Sequence, residues 1–271
     1  YNAINFLFQF SMARMLTVSE YGTLAALFSI IYLLGIFTES IQTVITKYSS
    51  KEKDSGKLKN LLNKALKKSF RVSLMLFFAY LIISIFFSYS LKISYPLLII
   101  NGLMIFFSFL LPVNRGIMLG RKKYRSLGAN MLLESVLRLV LAILLVFIGW
   151  KIYGALIALI IGSLIAFIFS FSSFKDILNS KEKQAETTNI YAYTTPVLVI
   201  ITVIIAFYSI DVFIAKMVFS EEMAGYYAIA SILGKTILWG TIPISKAMFP
   251  LSAETHKTKS SGKVFSKALI I

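Results

Sequence analysis

The sequence predicts an all-α protein, a polytopic bundle of transmembrane helices with about eight spans and the start of a ninth. Hydrophobic side chains make up 58% of the 271 residues and charged side chains only 15%, against about 25% in soluble domains. The apolar residues lie in runs that approach or exceed the ~20 residues that cross a hydrocarbon core. These runs are continuous, whereas a transmembrane β-barrel requires alternating segments of about 10 residues.

The expected spans follow one another along the chain, with boundaries good to about 2–4 residues. They are 1–16, 23–46, 70–91, 95–119, 127–149, 152–174, 192–219 and 224–249, and a ninth begins near residue 264. The chain opens inside a short apolar run and closes inside another, Val264–Ile271. We therefore expect the sequence to be a fragment of a longer, transporter-like protein.

The connections between spans alternate in charge. One set is basic and carries nine, four, three and four Lys and Arg, in Lys47–Arg71, Arg121–Arg125, Lys175–Thr188 and Lys257–Lys267. The other set is short and contains only Lys92 and Lys151. Basic connections remain on the cytoplasmic side of a membrane. We expect a cell-membrane protein whose basic connections and N-terminus are cytoplasmic.

The segment Lys57–Arg71 places leucines at helical spacing opposite a face of lysines. This pattern predicts an amphipathic helix that lies on the surface of anionic lipid. A helix that binds a partner in the manner of calmodulin targets has the same pattern.

Composition also excludes several functions. The net charge of +16 would suggest nucleic acid in a soluble protein, but membrane orientation already accounts for these cations. The sequence has no cysteine and a single histidine, His256, so we expect no metal site, no cofactor and no catalytic triad. The short connections leave no room for a catalytic domain, and the motifs of common hydrolases and nucleotide-binding enzymes are missing. We expect no catalytic residues and no enzyme in this chain.

A short pattern occurs twice. Ala13–Leu16 (ARML) resembles Ala215–Val218 (AKMV), and a turn with Ser and Glu followed by a glycine, Gly22 or Gly225, comes after each. The offset is about 202 residues, with one insertion. Six predicted spans separate the copies, so both point in the same direction, as in transporters built from parallel repeats.

Charged residues inside the spans are the candidate functional residues, because charge in a membrane is costly. The acids are Glu39, Glu134 and Asp211, and the bases that we expect in a polar cavity are Arg14, Arg115, Arg138 and Lys235. Glu134 and Arg138 are spaced i,i+4 and share a helix face, so they also fit a purely structural pair. Four cations lie near span ends and also fit side chains that extend to the headgroups: Arg14, Arg115, Lys216 and Lys246.

Three segments together resemble the polysaccharide flippase family of the multidrug/oligosaccharidyl-lipid/polysaccharide exporter (MOP) superfamily. They are Ala13–Gly22 (ARMLTVSEYG), Asn114–Arg125 (NRGIMLGRKKYR) with Asn130–Leu144, and Asp211–Ala253. The resemblance covers nearly the whole chain and implies twelve to fourteen helices in two six-helix lobes around a central cavity. Residues 1–174 would form the first lobe, 175–190 a cytoplasmic linker, and 191–271 the start of the second lobe.

The resemblance implies alternating access that moves a lipid-pyrophosphate-linked oligosaccharide between the leaflets of the membrane. Arg14, Arg115, Arg138 and Lys235 would hold the pyrophosphate and sugar groups. Glu39, Glu134 and Asp211 would pair with these cations or carry a coupling H⁺ or Na⁺. The acid that often ends the second helix of the family in a D-x-G-like pattern is kept at Glu39-Ser40-Ile41, but its glycine is lost.

Two other functions fit the same features. One is a cation-coupled antiporter of drugs or small molecules from the same superfamily, although such a cavity would favour acids over bases. The other is a scaffold or scramblase of a polysaccharide assembly complex, which would tolerate neutralisation of Lys235 and Glu39. The expected partners are membrane lipids, the lipid-linked oligosaccharide, and polysaccharide polymerase or assembly proteins.

Overall fold

The computed structural model describes residues 1–184, 203 and 210–235, and nearly all of these residues are helical. The helices, in order, are α1 (Asn2–Met15), α2 (Val18–Lys51), α3 (Ser55–Leu91), α4 (Tyr95–Gly102), α5 (Met104–Gly120), α6 (Tyr124–Leu145), α7 (Lys151–Ser170), the single turn α8 (Lys175–Leu178), α9 (210–218) and α10 (221–235). The all-α prediction is confirmed.

Within the described residues, four helical stretches are long and apolar enough to cross a membrane: Val18–Lys51, Ser55–Leu91, Tyr95–Gly120 and Tyr124–Leu178. The last stretch contains two predicted spans, because α6 and α7 fold back on each other through a turn in which Gly149 has φ 101°. Helix α1 has 14 residues and is too short to be counted. The spans expected at 192–219 and 224–249 are described only in part, and the ninth lies outside the described residues.

A long basic connection was expected between spans at Lys47–Arg71, but this segment is almost entirely helical. Helix α2 continues to Lys51 and α3 begins at Ser55, so only three residues join them. The carboxylate of Asp54 caps α3 by accepting a hydrogen bond of 2.8 Å from the backbone N–H of Gly56. The polar segment and the apolar span that follows it are therefore one continuous helix.

The prediction that the leucine face of this helix lies on the lipid surface is also wrong. Leu58, Leu61 and Leu62 are buried in a protein core with Val44 and Ile45 of α2. Residues of α5 and of the turn after α7 complete that core: Val113, Ile117, Met118, Phe174 and Ile177. The leucine periodicity identified the helix, but periodicity alone does not reveal whether lipid or protein covers the apolar face.

Helices α2 and α5 pack with their backbones close together. A Cβ added to Gly116 would lie 2.8 Å from the Cβ of Ile45, and one added to Gly120 would meet the hydroxyl of Ser49. The hydroxyls of Thr46 and Ser49 donate to the carbonyl of Gly116, at 3.3 and 3.2 Å. Small residues spaced by four are typical of tightly packed membrane helices.

Pro112 lies inside α5 and has no N–H to donate to the carbonyl of Ser108, four residues earlier. The hydroxyl of Thr38 in α2 donates to that carbonyl instead, at 2.9 Å. A neighbouring side chain therefore satisfies the backbone group that the proline leaves free, as membrane helices with proline require.

Hydrogen bonds and an ion pair hold the residues after α7 against the start of α3. The Lys59 ammonium donates to the carbonyls of Leu178 and Ser180, at 2.6 and 3.0 Å. The Lys183 ammonium pairs with the Asp54 carboxylate at 2.7 Å, and this hydrogen bond lowers the pKa of Asp54 below its usual value. The first part of the predicted linker therefore has a fixed path.

The two copies of the repeated pattern have the same local structure and touch each other. Thr17 caps α2, and the hydroxyl of Ser220 accepts from the backbone N–H of Met223 in the first turn of α10. Gly22 and Gly225 each lie five residues after the cap, and a Cβ added to Gly22 would lie 2.8 Å from the Cα of Gly225.

The chain divides into two compact units, one with Tyr1 and Ala3–Ala228 and the other with Asn2 and Ile229–Ile271. Both copies of the repeated pattern belong to the first unit. The division into lobes at 1–174 and 191–271 with a linker at 175–190 stays a prediction.

Candidate functional site

A cluster of buried ions lies among α5, α6 and α7. The carboxylate of Glu134 accepts from Arg115 at 2.5 Å, from Arg138 and from the hydroxyl of Ser163 at 3.0 Å. Arg138 also donates to Ser163 at 2.7 Å. The side chain of Glu134 is 2% exposed, and those of Arg115 and Arg138 are 11% and 17% exposed. The structure thus contains the expected Glu134–Arg138 pair and joins Arg115 to it.

One amide side chain, that of Asn130, helps to hold this cluster in place. The carbonyl oxygen of Asn130 accepts from the Nε of Arg115 at 2.9 Å, while its amide group donates to the backbone carbonyl of Ala166 at 2.6 Å. Gly162 lets α7 approach α6, because a Cβ there would lie 2.7 Å from the Cγ of Arg138. The helical hairpin therefore places the arginines and the carboxylate in one fixed geometry.

The cluster carries an excess of positive charge, because one carboxylate faces two guanidinium groups. Among the described residues, the Nε of Arg138 is buried and donates to no acceptor. Arginine presents its N–H groups as a rigid fork that matches two oxygens of a phosphate or carboxylate. An anion that reached Arg138 would find both a surplus charge and an unused donor.

Helix α2 carries an exposed polar stripe that includes Glu39. The residues Glu39, Thr43, Lys47 and Ser50 are all exposed and share one face of the helix. Val44 and Ile45 on the other side of the same helix are buried. Exposed polar groups along a membrane helix normally face water or a polar cavity rather than lipid. This stripe is therefore the best candidate among the described residues for the wall of an aqueous space.

Three further predicted site residues lie on α1, α9 and α10. Arg14 is exposed in the last turn of α1, and its guanidinium lies 5.5 Å from the ring centroid of Phe10. Asp211 is near the start of α9 and accepts from the hydroxyl of Tyr227 at 3.4 Å. Lys235 on α10 is half-buried and belongs to the second compact unit.

The idea that cations near span ends extend to the headgroups is wrong for two of them. Counted over the whole residue, Arg115 is 9% exposed and Lys216 is 4% exposed. Arg115 is also bound in the ion cluster. The ammonium of Lys216 donates to the hydroxyl of Thr23 at 3.2 Å. Burial against neighbouring helices holds both side chains inside the protein. Lys246 lies outside the described residues.

Sequence reasoning missed several residues of the site. Thr43 and Lys47 repeat at four-residue intervals after Glu39, and this polar spacing could have revealed the stripe. Ser163 and Asn130 gave no such indication, because a single Ser or Asn in an apolar span has no distinctive pattern. Among the described residues, no group of three or more acids and histidines is placed to hold a metal ion.

The sequence profile of the polysaccharide biosynthesis protein family matches residues 11–269. The chain belongs to this family. The match covers nearly the whole sequence, and it confirms the resemblance that the three sequence segments indicated. No curated protein matches the chain at a significant level.

Two solved structures share the fold of this family member. One is a multidrug resistance MATE family transporter of the MOP superfamily in an inward-facing conformation, with a TM-score of 0.73 and 12% identity. The other is a MOP superfamily transporter from Pyrococcus furiosus for which a binding pocket of reverse polarity is described, with a TM-score of 0.61 and 15% identity. The comparison covers 99% of this chain but only 66% and 64% of those chains. The fold is that of helical MOP transporters, and the protein is a multi-pass membrane protein.

Proposed function

We propose that this chain belongs to a membrane flippase that exports a lipid-linked oligosaccharide or polysaccharide precursor across the cytoplasmic membrane by alternating access. The observation that carries the proposal is the combination of a polysaccharide biosynthesis family with the MOP transporter fold. Polysaccharide precursors are too polar to cross a hydrocarbon core unaided. A polysaccharide biosynthesis protein with a transporter fold is therefore best explained as the protein that moves them.

The ion cluster supports an anionic substrate. A lipid-linked oligosaccharide joined through pyrophosphate carries negative oxygens that suit the arginine fork. Arg138 is the more exposed of the two arginines bound to Glu134 and has the unused Nε. We assign Arg138 to the phosphate group and Arg115 to the support of Glu134. Arg14 and Lys235 stay candidates for contacts with the sugars or with a second phosphate oxygen.

The acids differ in their fitness for ion coupling. Glu134 is saturated by two guanidinium groups and a hydroxyl, so its role is to hold the arginines when the substrate is absent. Glu39 is exposed on the polar stripe of α2 and is the better candidate to bind a coupling H⁺ or Na⁺. Asp211 is the second candidate. Substrate entry would replace Glu134 as the partner of Arg138 and bias the transporter toward its other conformation.

The test measures flipping of a fluorescent lipid-pyrophosphate-oligosaccharide in vesicles that hold the full-length protein, with an ion gradient imposed. We expect Arg138→Gln to slow flipping on the order of 10- to 100-fold, because the variant loses a hydrogen bond between charged groups. Arg125→Gln is the matched control, because Arg125 is an exposed cation on the same helix. Equal rates in wild type and Arg138→Gln would remove Arg138 from the mechanism, and no flipping by wild type would reject the flippase.

A cation-coupled antiporter is the second candidate, and the fold shared with a MATE family transporter favours it. In that case Glu39 would bind the transported or coupling cation, and Arg138 would be structural. Efflux of a cationic dye from the same vesicles separates the two functions. The antiporter requires dye efflux that Glu39→Gln abolishes and Arg138→Gln leaves intact, whereas the flippase requires no dye efflux.

A further inference from the structure

One face of α3 changes from cationic to apolar without changing direction. Lys64, Lys67 and Arg71 are exposed, and the same face continues through Met75, Phe78 and Ile82 at helical spacing. Those three apolar side chains are 72%, 58% and 72% exposed. Large apolar groups that are this exposed on a membrane helix contact lipid tails. The cations therefore stand directly above a lipid-facing surface.

The three cations lie at the headgroup layer or just outside it. The helix rises about 1.5 Å per residue, so Arg71 lies about 6 Å and Lys64 about 16 Å from Met75 along the axis. The polar layer on each side of a bilayer is roughly 5–8 Å thick. Long flexible cationic side chains extend this reach. Arg71 thus lies within the headgroup layer, whereas Lys67, about 12 Å from Met75, and Lys64 stand outside it and contact it through their long side chains.

The helix cannot turn this face away from the lipid. Leu58, Leu61 and Leu62 on the opposite side are buried in the protein core, and they fix the rotation of α3 about its axis. The helix itself contains no Asp or Glu, and the Glu182 carboxylate that contacts it accepts hydrogen bonds from Asn60 and Asn63. Lys57 and Lys59, also on this helix, are engaged with Glu52 and with the carbonyls after α7. Lys64, Lys67 and Arg71, on the lipid-facing side, therefore point toward the membrane surface.

We infer that Lys64, Lys67 and Arg71 form a docking surface for the headgroups of anionic phospholipids, in the leaflet on the side where α2 ends and α3 begins. Acyl tails would lie along Met75, Phe78 and Ile82. Charge complementarity identifies the occupant, because an anionic headgroup attached to an apolar tail matches both halves of the stripe. This inference does not rest on the proposed function, since the surface faces the bilayer and would bind bulk lipid whatever substrate is transported.

The experiment titrates the full-length protein in neutral detergent with phosphatidylglycerol and counts bound lipids by native mass spectrometry. The triple variant Lys64→Gln/Lys67→Gln/Arg71→Gln is compared with wild type. One cation near an anionic surface is worth about fivefold in affinity, so the triple variant should bind on the order of 100-fold more weakly. Binding by wild type should also weaken with added salt, because the contact is electrostatic.

The matched control is Lys51→Gln/Lys53→Gln/Lys122→Gln, which removes three exposed cations at the same end of the bundle. It should bind phosphatidylglycerol as wild type does. Equal weakening in both triple variants would overturn the inference in favour of a general charge effect. Displacement of phosphatidylglycerol by an equimolar polyprenyl pyrophosphate would also overturn it, because the surface would then select the carrier lipid. Unchanged melting temperatures of both variants in neutral detergent exclude misfolding.

Discussion

Two helix interfaces in this protein bury polar groups in opposite ways. Between α2 and α5, hydroxyls donate to backbone carbonyls across glycines, and no charge is involved. Among α5, α6 and α7, one carboxylate and two guanidinium groups are buried together. Hydroxyl–carbonyl contacts already suffice to join membrane helices. The ion cluster is therefore more than the packing requires, and buried ions seldom add stability over apolar groups of the same size. We therefore expect the second interface to serve a function besides packing.

The largest effect should come from breaking the ion cluster on one side. Glu134→Leu leaves Arg115 and Arg138 buried without their carboxylate, and this should lower the free energy of unfolding by about 3–5 kcal/mol. Denaturant unfolding in detergent micelles measures the change. Replacing all three ions, as Arg115→Met/Glu134→Leu/Arg138→Met, should restore at least wild-type stability but abolish flipping. A triple variant as unstable as Glu134→Leu would show that the ions are structural.

The glycine interface should respond to added volume. Gly116→Ala places a methyl group 2.8 Å from the Cβ of Ile45 and 2.9 Å from the carbonyl of Gln42. Overpacking of this kind should reduce the free energy of unfolding by about 1–3 kcal/mol. Gly128→Ala on α6 is the control, because nothing lies within 4 Å of its added Cβ. That control should be neutral or slightly stabilising, by up to about 1 kcal/mol; equal losses in both variants would argue against close α2–α5 packing.

A smaller effect is expected at the hydroxyl that supports Pro112. Thr38→Val removes the donor to the carbonyl of Ser108 and should cost about 1 kcal/mol. In Pro112→Ala the backbone N–H of residue 112 can bond that carbonyl again, so Thr38→Val should then cost less. A double-mutant cycle on the free energy of unfolding measures this coupling. Additive costs would show that the hydroxyl does not compensate for the proline.

The smallest effect concerns pH and the segment after α7. Hydrogen bonding to Lys183 lowers the pKa of Asp54, so this contact stabilises the fold above the ordinary carboxyl pKa of about 3.9 and weakens as pH falls through the lowered value. The chain has no cysteine, so a spin label at Gln184→Cys is unique. Its mobility should rise as the pH falls below about 4. Asp54→Asn should be mobile at pH 7 already; a label that is immobile in that variant would contradict the contact.

Sequence alone predicted the helices well and their neighbours poorly. The i,i+4 spacing of Glu134 and Arg138 predicts their pair, because both lie on one helix. Arg115 is 19 residues from Glu134, on another helix, and only the packing of α5 against α6 brings them together. The leucines of 57–71 were correctly placed on a helix but wrongly turned to lipid. The spacing of leucines along the chain shows that one helix has an apolar face. Whether lipid or another helix covers that face depends on how the helices pack.

If a two-fold rotation relates the two copies of the repeated pattern, the contact between Gly22 and Gly225 also locates its axis. Equivalent residues of two copies related by a two-fold rotation can touch only where the rotation axis passes between them. Ser19 and Glu221 in the same turns are joined by a hydrogen bond of 2.9 Å, as expected so near the axis. Points on an axis are displaced least when two halves counter-rotate. These glycines would then act as a stationary pivot, and the ends of the helices farthest from them would sweep the largest arcs.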